Sequence, residues 1–157
     1  MVYNDNMDID NNDILSGALA GAIGTAAFGA FFLAIGNKAV IAGAIPGLYG
    51  IQGPSLVIGG LIHIIHGAIL GVIYTAIVSG AGYKQYLTDL KSSFGLGIGY
   101  GVLTTGLAVF LMPVWLSTVG FPKAPSVPNF SPMGLAGHVI YGLGLAVAYS
   151  LIREQLE

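Results

Sequence analysis

The sequence predicts an all-α, polytopic membrane protein with four transmembrane helices formed by parallel duplication of a two-helix unit. Three observations point there. Charge is scarce: 55% of the 157 residues are hydrophobic and 8% charged, where a soluble domain carries about a quarter charged residues. The apolar residues gather in four runs, each long enough to cross a bilayer. The second and fourth runs also align with each other without gaps. Mean hydropathy is +0.82, so lipid is the expected solvent.

The first run is 14–36 (ILSGALAGAIGTAAFGAFFLAIG), which carries no charge. At about 1.5 Å per residue it reaches roughly 35 Å, enough to span a membrane. The others are 56–78, 94–118 and 133–152, the last closed by Arg153 and Glu154. Before the first run lies a polar tail, 1–13, with Asp5, Asp8, Asp10 and Asp13 and no Lys or Arg. A secretory signal needs a basic segment there, so the first run reads as a retained helix. The acidic side chains repel one another and bury nothing, so the tail is expected to rest on a partner.

The connections differ in kind. Residues 37–55 hold Lys38, Pro46 and Pro54, and 119–132 hold Pro122, Pro125, Pro128 and Pro132. Both read as irregular loops lying against the end of the bundle. In 79–93, Tyr83, Tyr86, Leu87 and Leu90 recur at helical spacing, with Lys84, Asp89 and Lys91 elsewhere. That pattern predicts a short amphipathic connector at the membrane interface. The domains are therefore the tail 1–13, a first repeat 14–78, the connector 79–93 and a second repeat 94–157.

The repeat rests on HIIHGAILGVIYTAI (63–77) over HVIYGLGLAVAYSLI (138–152). His63 matches His138, Gly67 matches Gly142, and Tyr74 matches Tyr149. In the first and third runs Gly17, Gly21 and Thr25 match Gly97, Gly101 and Thr105. Such self-similarity marks repeat architecture. Two helices per unit bring both copies in from the same side, related by an axis along the membrane normal. Lys84, Lys91 and Arg153 on the side of the termini, against Lys38 and Lys123, place both termini inside. Lys38 after the first helix pulls the other way.

Glycine sets the packing style. There are 25 glycines, about twice the usual share. In lipid, small residues let helix backbones approach. The expected packing positions are Gly17, Gly21, Gly59, Gly67, Gly71, Gly97, Gly101, Gly134 and Gly142. His63 and His138 each sit in such a stripe, so both are expected inside the bundle. The first expectation for them is neutral hydrogen bonding across helices, to Thr25, Thr105, a carbonyl or each other. The alternatives are axial ligation of a haem b by His63 and His138, or a metal site of His63, His66 and His138. Tyr74 and Tyr149 read as aromatic-belt residues, and Trp115 beside Pro113 as a belt anchor at a kink.

Absences narrow the function. With no Cys, disulfides and thiolate chemistry are excluded, and a net charge of −2 without a basic cluster gives nucleic acid nothing to bind. No GxSxG, HExxH or P-loop occurs. GLGIGYG (95–101) follows no strand and is not a dinucleotide fingerprint. No Asp, Glu, Lys or Arg lies inside the four runs, where pumps and secondary transporters keep ionisable groups. The chain is therefore expected to lack catalytic activity and any cofactor of its own. The expected role is a structural accessory subunit of a larger membrane complex, such as a respiratory or membrane oxygenase complex, with other membrane subunits and the bilayer as partners. A haem- or metal-bearing electron-transfer protein and a small oligomeric channel or transporter are the alternatives.

Overall fold

The computed structural model describes residues 8–156, and they are all helical or irregular, without strands. Helix α1 (Asn11–Ala34) is followed by a π-helical turn (Val40–Ala44) that runs into the short α2 (Ile45–Gly47). Then come α3 (Leu56–Gly80), α4 (Gln85–Thr88) and α5 (Leu90–Gly106). A second π-helical turn (Leu107–Leu111) joins α5 to α6 (Met112–Thr118), and α7 (Pro132–Leu156) closes the chain. Four helices are long and apolar enough to cross a membrane: Asn11–Ala34, Leu56–Gly80, Leu90–Thr118 and Pro132–Leu156.

All four spans begin or end outside their apolar runs, and in three of them polar residues account for the extension. Asp10 and Asp13 form a capping box that starts α1 at Asn11, upstream of the apolar residues. Asp89 caps α5 by accepting from the Ser92 amide at 3.0 Å. Hydrogen bonds from Ser92 hold the Asp89 carboxyl below the usual carboxylate range. Helix α7 continues past the apolar run through Arg153 because that side chain is paired with α1.

Helices α1 and α7 form the centre. α3 packs on α1, and α5 packs on α7. α3 and α5 hardly meet backbone to backbone, and side chains fill the space between them. The close pairs meet at glycine. A Cβ on Gly21 would overlap the Gly67 carbonyl, and one on Gly71 would overlap that of Gly17. In the other pair, a Cβ on Gly142 would overlap the Gly97 carbonyl, and one on Gly101 that of His138. Aligning Gly21 with Gly101 and Gly67 with Gly142 shows the second pair slipped by one helical turn.

Residues 37–55 hold structure where an irregular loop was expected, and 119–131 share part of its design. In 37–55, and again inside the third span, a π-turn precedes a proline, Pro46 and Pro113, which lacks the N–H that an α-helix would use. The Ala42 carbonyl, four residues before Pro46, accepts instead from the Ser55 amide at 2.9 Å. The Val109 carbonyl, four before Pro113, accepts from the Asn129 amide at 2.9 Å. The segment 40–47 buries Ile41, Ala42, Ile45 and Pro46, and is far too short to cross a bilayer. The connector 79–93 is a single turn, α4, between Gly82 at φ +79 and the extended cap Asp89. Leu87 turns inward while Tyr83, Tyr86 and Leu90 stay exposed.

Candidate functional site

Polar residues concentrate at two ends. At the end shared by the termini, Asp13 is 1% exposed. Its carboxylate meets Lys84 Nζ at 2.6 Å and Arg153 Nε at 3.0 Å. The Tyr149 hydroxyl donates to Asp13 Oδ1 at 2.9 Å. Arg153 also reaches Asp10 at 3.0 Å, and Lys84 Nζ donates to the Asp8 carbonyl at 2.7 Å. Asn12 donates to the Leu156 carbonyl at 3.0 Å, so the two chain ends meet. The tail was expected to bury nothing and to need a partner. Instead the carboxylates of Asp10 and Asp13, and the main-chain carbonyl of Asp8, find partners within the chain, because α1, the connector and α7 converge there; Asp5 lies outside the described residues. Tyr149 and Tyr74 are each 1% exposed, inside the bundle and not in an aromatic belt.

At the opposite end lie the histidines. His63 is seven residues into α3 and His138 six into α7, and both are partly buried. Each imidazole meets the Phe28 ring edge-on, at centroid distances of 4.8 Å for His63 and 5.2 Å for His138. His138 Nδ1 lies 2.8 Å from the Gly134 carbonyl of its own helix. Among the described residues, the ring nitrogens of His63 have no hydrogen-bond partner. His66 meets the Tyr49 hydroxyl at 2.5 Å, nearer the surface. Thr25 and Thr105 donate to Gly21 and Gly101 on their own helices, both at 2.9 Å, and not to histidine. The expected hydrogen bonds across helices are therefore replaced by aromatic packing.

A cavity of about 40 Å³ lies among these groups, lined by His63, His66, His138, Thr25, Phe28 and Tyr141, with Gly67 and Leu70. Sites for organic ligands run to roughly 300 Å³ or more. The residues present do not fit a haem: the cavity is too small, and the Phe28 ring packs against both imidazoles. Nor do His63, His66 and His138 gather as metal ligands; no group of three such side chains forms among the described residues. The cavity has room for water, which needs roughly 10–15 Å³ and two to four polar partners.

Between the two ends runs a file of tyrosines, of which the sequence pattern singled out Tyr74 alone. Tyr74, Tyr100 and Tyr141 are buried, with centroids 5.1 Å apart for Tyr74–Tyr100 and 6.3 Å for Tyr100–Tyr141. They stand where α3 and α5 are apart. The Tyr100 hydroxyl donates to the Leu70 carbonyl at 2.6 Å and the Tyr141 hydroxyl to that of Gly67 at 3.1 Å. The only sequence signal for them was the matched pair Tyr74 and Tyr149.

Of the expected packing glycines, Gly17, Gly21, Gly67 and Gly71 lie between α1 and α3, and Gly97, Gly101 and Gly142 between α5 and α7. Gly59 lies against the Ile41 carbonyl of the π-turn, and Gly134 has only its neighbour Ser131 nearby. Trp115 is half exposed and donates to the Leu48 carbonyl at 2.8 Å, tying α6 to α2.

No family model, curated protein or solved structure matches the chain. What the fold defines is a class: among the described residues, an all-helical bundle with four long apolar helices that could span a membrane, pinned by charge at one end and hollowed beside histidines at the other.

Proposed function

We propose that the chain is a multi-pass integral membrane protein, with both termini inside, that acts as a non-catalytic accessory subunit of a larger membrane complex. The supporting observation is the outward face of α5. Gly95, Gly99 and Gly106 have nothing within 4 Å of where a Cβ would stand. With Val102 they fall on one stripe at about 100° per residue, opposite the inward Gly97 and Gly101. Glycine costs helix propensity, and in a membrane helix its return is close approach by another backbone. α3 offers the contrast. Its outward ridge is Val57, Leu61, Ile65, Ile69, Ile73 and Ile77, all at least 41% exposed. Bulky aliphatics of that kind suit lipid chains. Duplication of the two-helix unit belongs to the same proposal, supported by the His and Tyr matches in the sequence, while the glycine contacts differ between the pairs by one helical turn.

The test is co-purification from gently solubilised native membranes. The tagged chain is expected to bring down other membrane subunits in fixed ratio. Gly99→Leu is expected to lower that recovery while keeping the melting temperature of the wild type, and Leu61→Ala to leave it unchanged. A wild-type chain that purifies alone, or recovery indifferent to Gly99→Leu, would overturn the assignment.

A further inference from the structure

The polar walls of the cavity at the histidine end have already committed most of their hydrogens. The Thr25 hydroxyl donates to the Gly21 carbonyl at 2.9 Å, and the Tyr141 hydroxyl to that of Gly67 at 3.1 Å. A carbonyl oxygen can only accept, so His138 Nδ1, 2.8 Å from that of Gly134, carries the ring proton. His138 Nε2 is then a bare lone pair. Thr25, Tyr141 and His138 all line the cavity, and what each still offers is an acceptor. His66 Nε2 is taken up by the Tyr49 hydroxyl. His63 has neither nitrogen partnered among the described residues, so it offers one N–H and one lone pair in either neutral tautomer.

Charge narrows the occupant further. Among the described residues the carboxylates are those of Asp8, Asp10, Asp13, Asp89 and Glu154, all at the termini end. No Lys or Arg lines the cavity either. A bound cation would have no counter-ion and a bound anion no cation, and an unpaired charge inside an apolar bundle is costly. Phe28 and Leu70 complete a largely apolar wall. Size sets the last limit. A water needs roughly 10–15 Å³ of such space, so about 40 Å³ admits a molecule of roughly one or two heavy atoms. The occupant is therefore small, neutral and rich in hydrogen-bond donors.

We propose that this cavity binds a small neutral amine, ammonia or methylamine, through its N–H groups. Ammonia brings three N–H donors and one lone pair. The walls offer the same inventory in reverse: acceptors on Thr25, Tyr141 and His138, and an N–H on His63. Water brings only two donors and leaves an acceptor unmatched. Methylamine exchanges one donor for a methyl group, which suits Phe28 and Leu70. The protonated form of either amine has no lone pair for His63 and no counter-ion, so the free base is the species held. The site does not depend on the accessory-subunit assignment, since all its groups belong to this chain.

The experiment is NMR on the full chain in lipid nanodiscs with isotope-labelled histidine. The sequence has three histidines, so single His→Gln variants assign each ring. Ammonia is titrated at a fixed alkaline pH, with potassium chloride holding the ionic strength constant. A ligand this small binds no tighter than about the millimolar range, so the titration runs to high concentration. The His63 and His138 ring resonances are expected to shift and saturate. At a lower pH, still above the range where histidine titrates, the curve is expected to follow the free base, so several-fold more total ammonia gives the same shift. Tyr141→Phe and Thr25→Val each remove one acceptor with little change of shape, and each is expected to weaken binding several-fold. If one of them does not fold, the other carries the test. Tyr83→Phe, on the exposed connector, is expected to match the wild type. Three results would overturn the proposal: no saturable shift, which leaves a cavity for water only; a shift that follows ammonium or potassium; or wild-type affinity in the acceptor variants.

Discussion

The two ends of the bundle handle polar groups in opposite ways. At the termini end a buried carboxylate, two cations and a phenol satisfy one another at 2.6–3.0 Å. At the histidine end, His63 and His138 pack on Phe28 and leave a cavity of about 40 Å³. The first arrangement joins three distant parts of the chain and leaves no room for a ligand. The second joins little and leaves space. In so apolar a protein, closed polar networks hold the fold together, while loosely partnered groups are where chemistry has room to occur.

The sharpest way to break that contrast is Asp13→Ala. It leaves Arg153 and Lys84 at a site built for a carboxylate. Removing one partner of a buried ion pair costs about 3–5 kcal/mol, which a melting curve in detergent would register. A loss below about 1 kcal/mol would mean the network does not hold the fold. Next is Gly21→Leu, in the middle of α1, where packing acts without charge. The new side chain meets the Gly67 carbonyl at once. Forcing bulk into a packed contact costs about 1–3 kcal/mol, and α1 and α3 are expected to separate in a cysteine cross-linking series.

Tyr149→Phe refines the account of the termini end. It removes only the hydrogen bond to Asp13 and keeps the ring. A hydrogen bond to a charged group contributes about 1.5–3 kcal/mol, so the loss is expected to be smaller than for Asp13→Ala. The smallest effect belongs to the histidine end. His138→Gln exchanges a ring held by its own helix for an amide able to reach the same carbonyl, with a loss under about 1 kcal/mol. A melting shift as large as that of Asp13→Ala would erase the difference between the ends.

Parts of this were legible in the sequence. The four runs mark the four long helices, and Asp10 followed by Asp13 already had the spacing of a helix start. Pro113 marked the irregular end of the third span, though not the Asn129 amide that meets the freed carbonyl. The partners of Asp13 were not legible: Lys84 and Arg153 lie far along the chain, and no local pattern links them. Tyr74 and Tyr149 misled for a related reason. A tyrosine near a helix end looks the same whether it faces headgroups or a buried carboxylate. The Tyr100 and Tyr141 hydroxyls bind backbone carbonyls, which every residue possesses, so no complementary residue type announces them.

What the sequence determined by itself is the number, length and apolar character of the helices. An apolar stretch must close its own backbone hydrogen bonds, and that demand is local. Only the tertiary structure decided which helices meet, that α3 and α5 stand apart, that the second glycine pair slips by one turn, and which side chains share Asp13. Glycine-lined helices can dock in several registers at similar cost, because one small residue resembles the next. The choice among registers is made by groups distant in sequence, and it appears only when all four helices are in place.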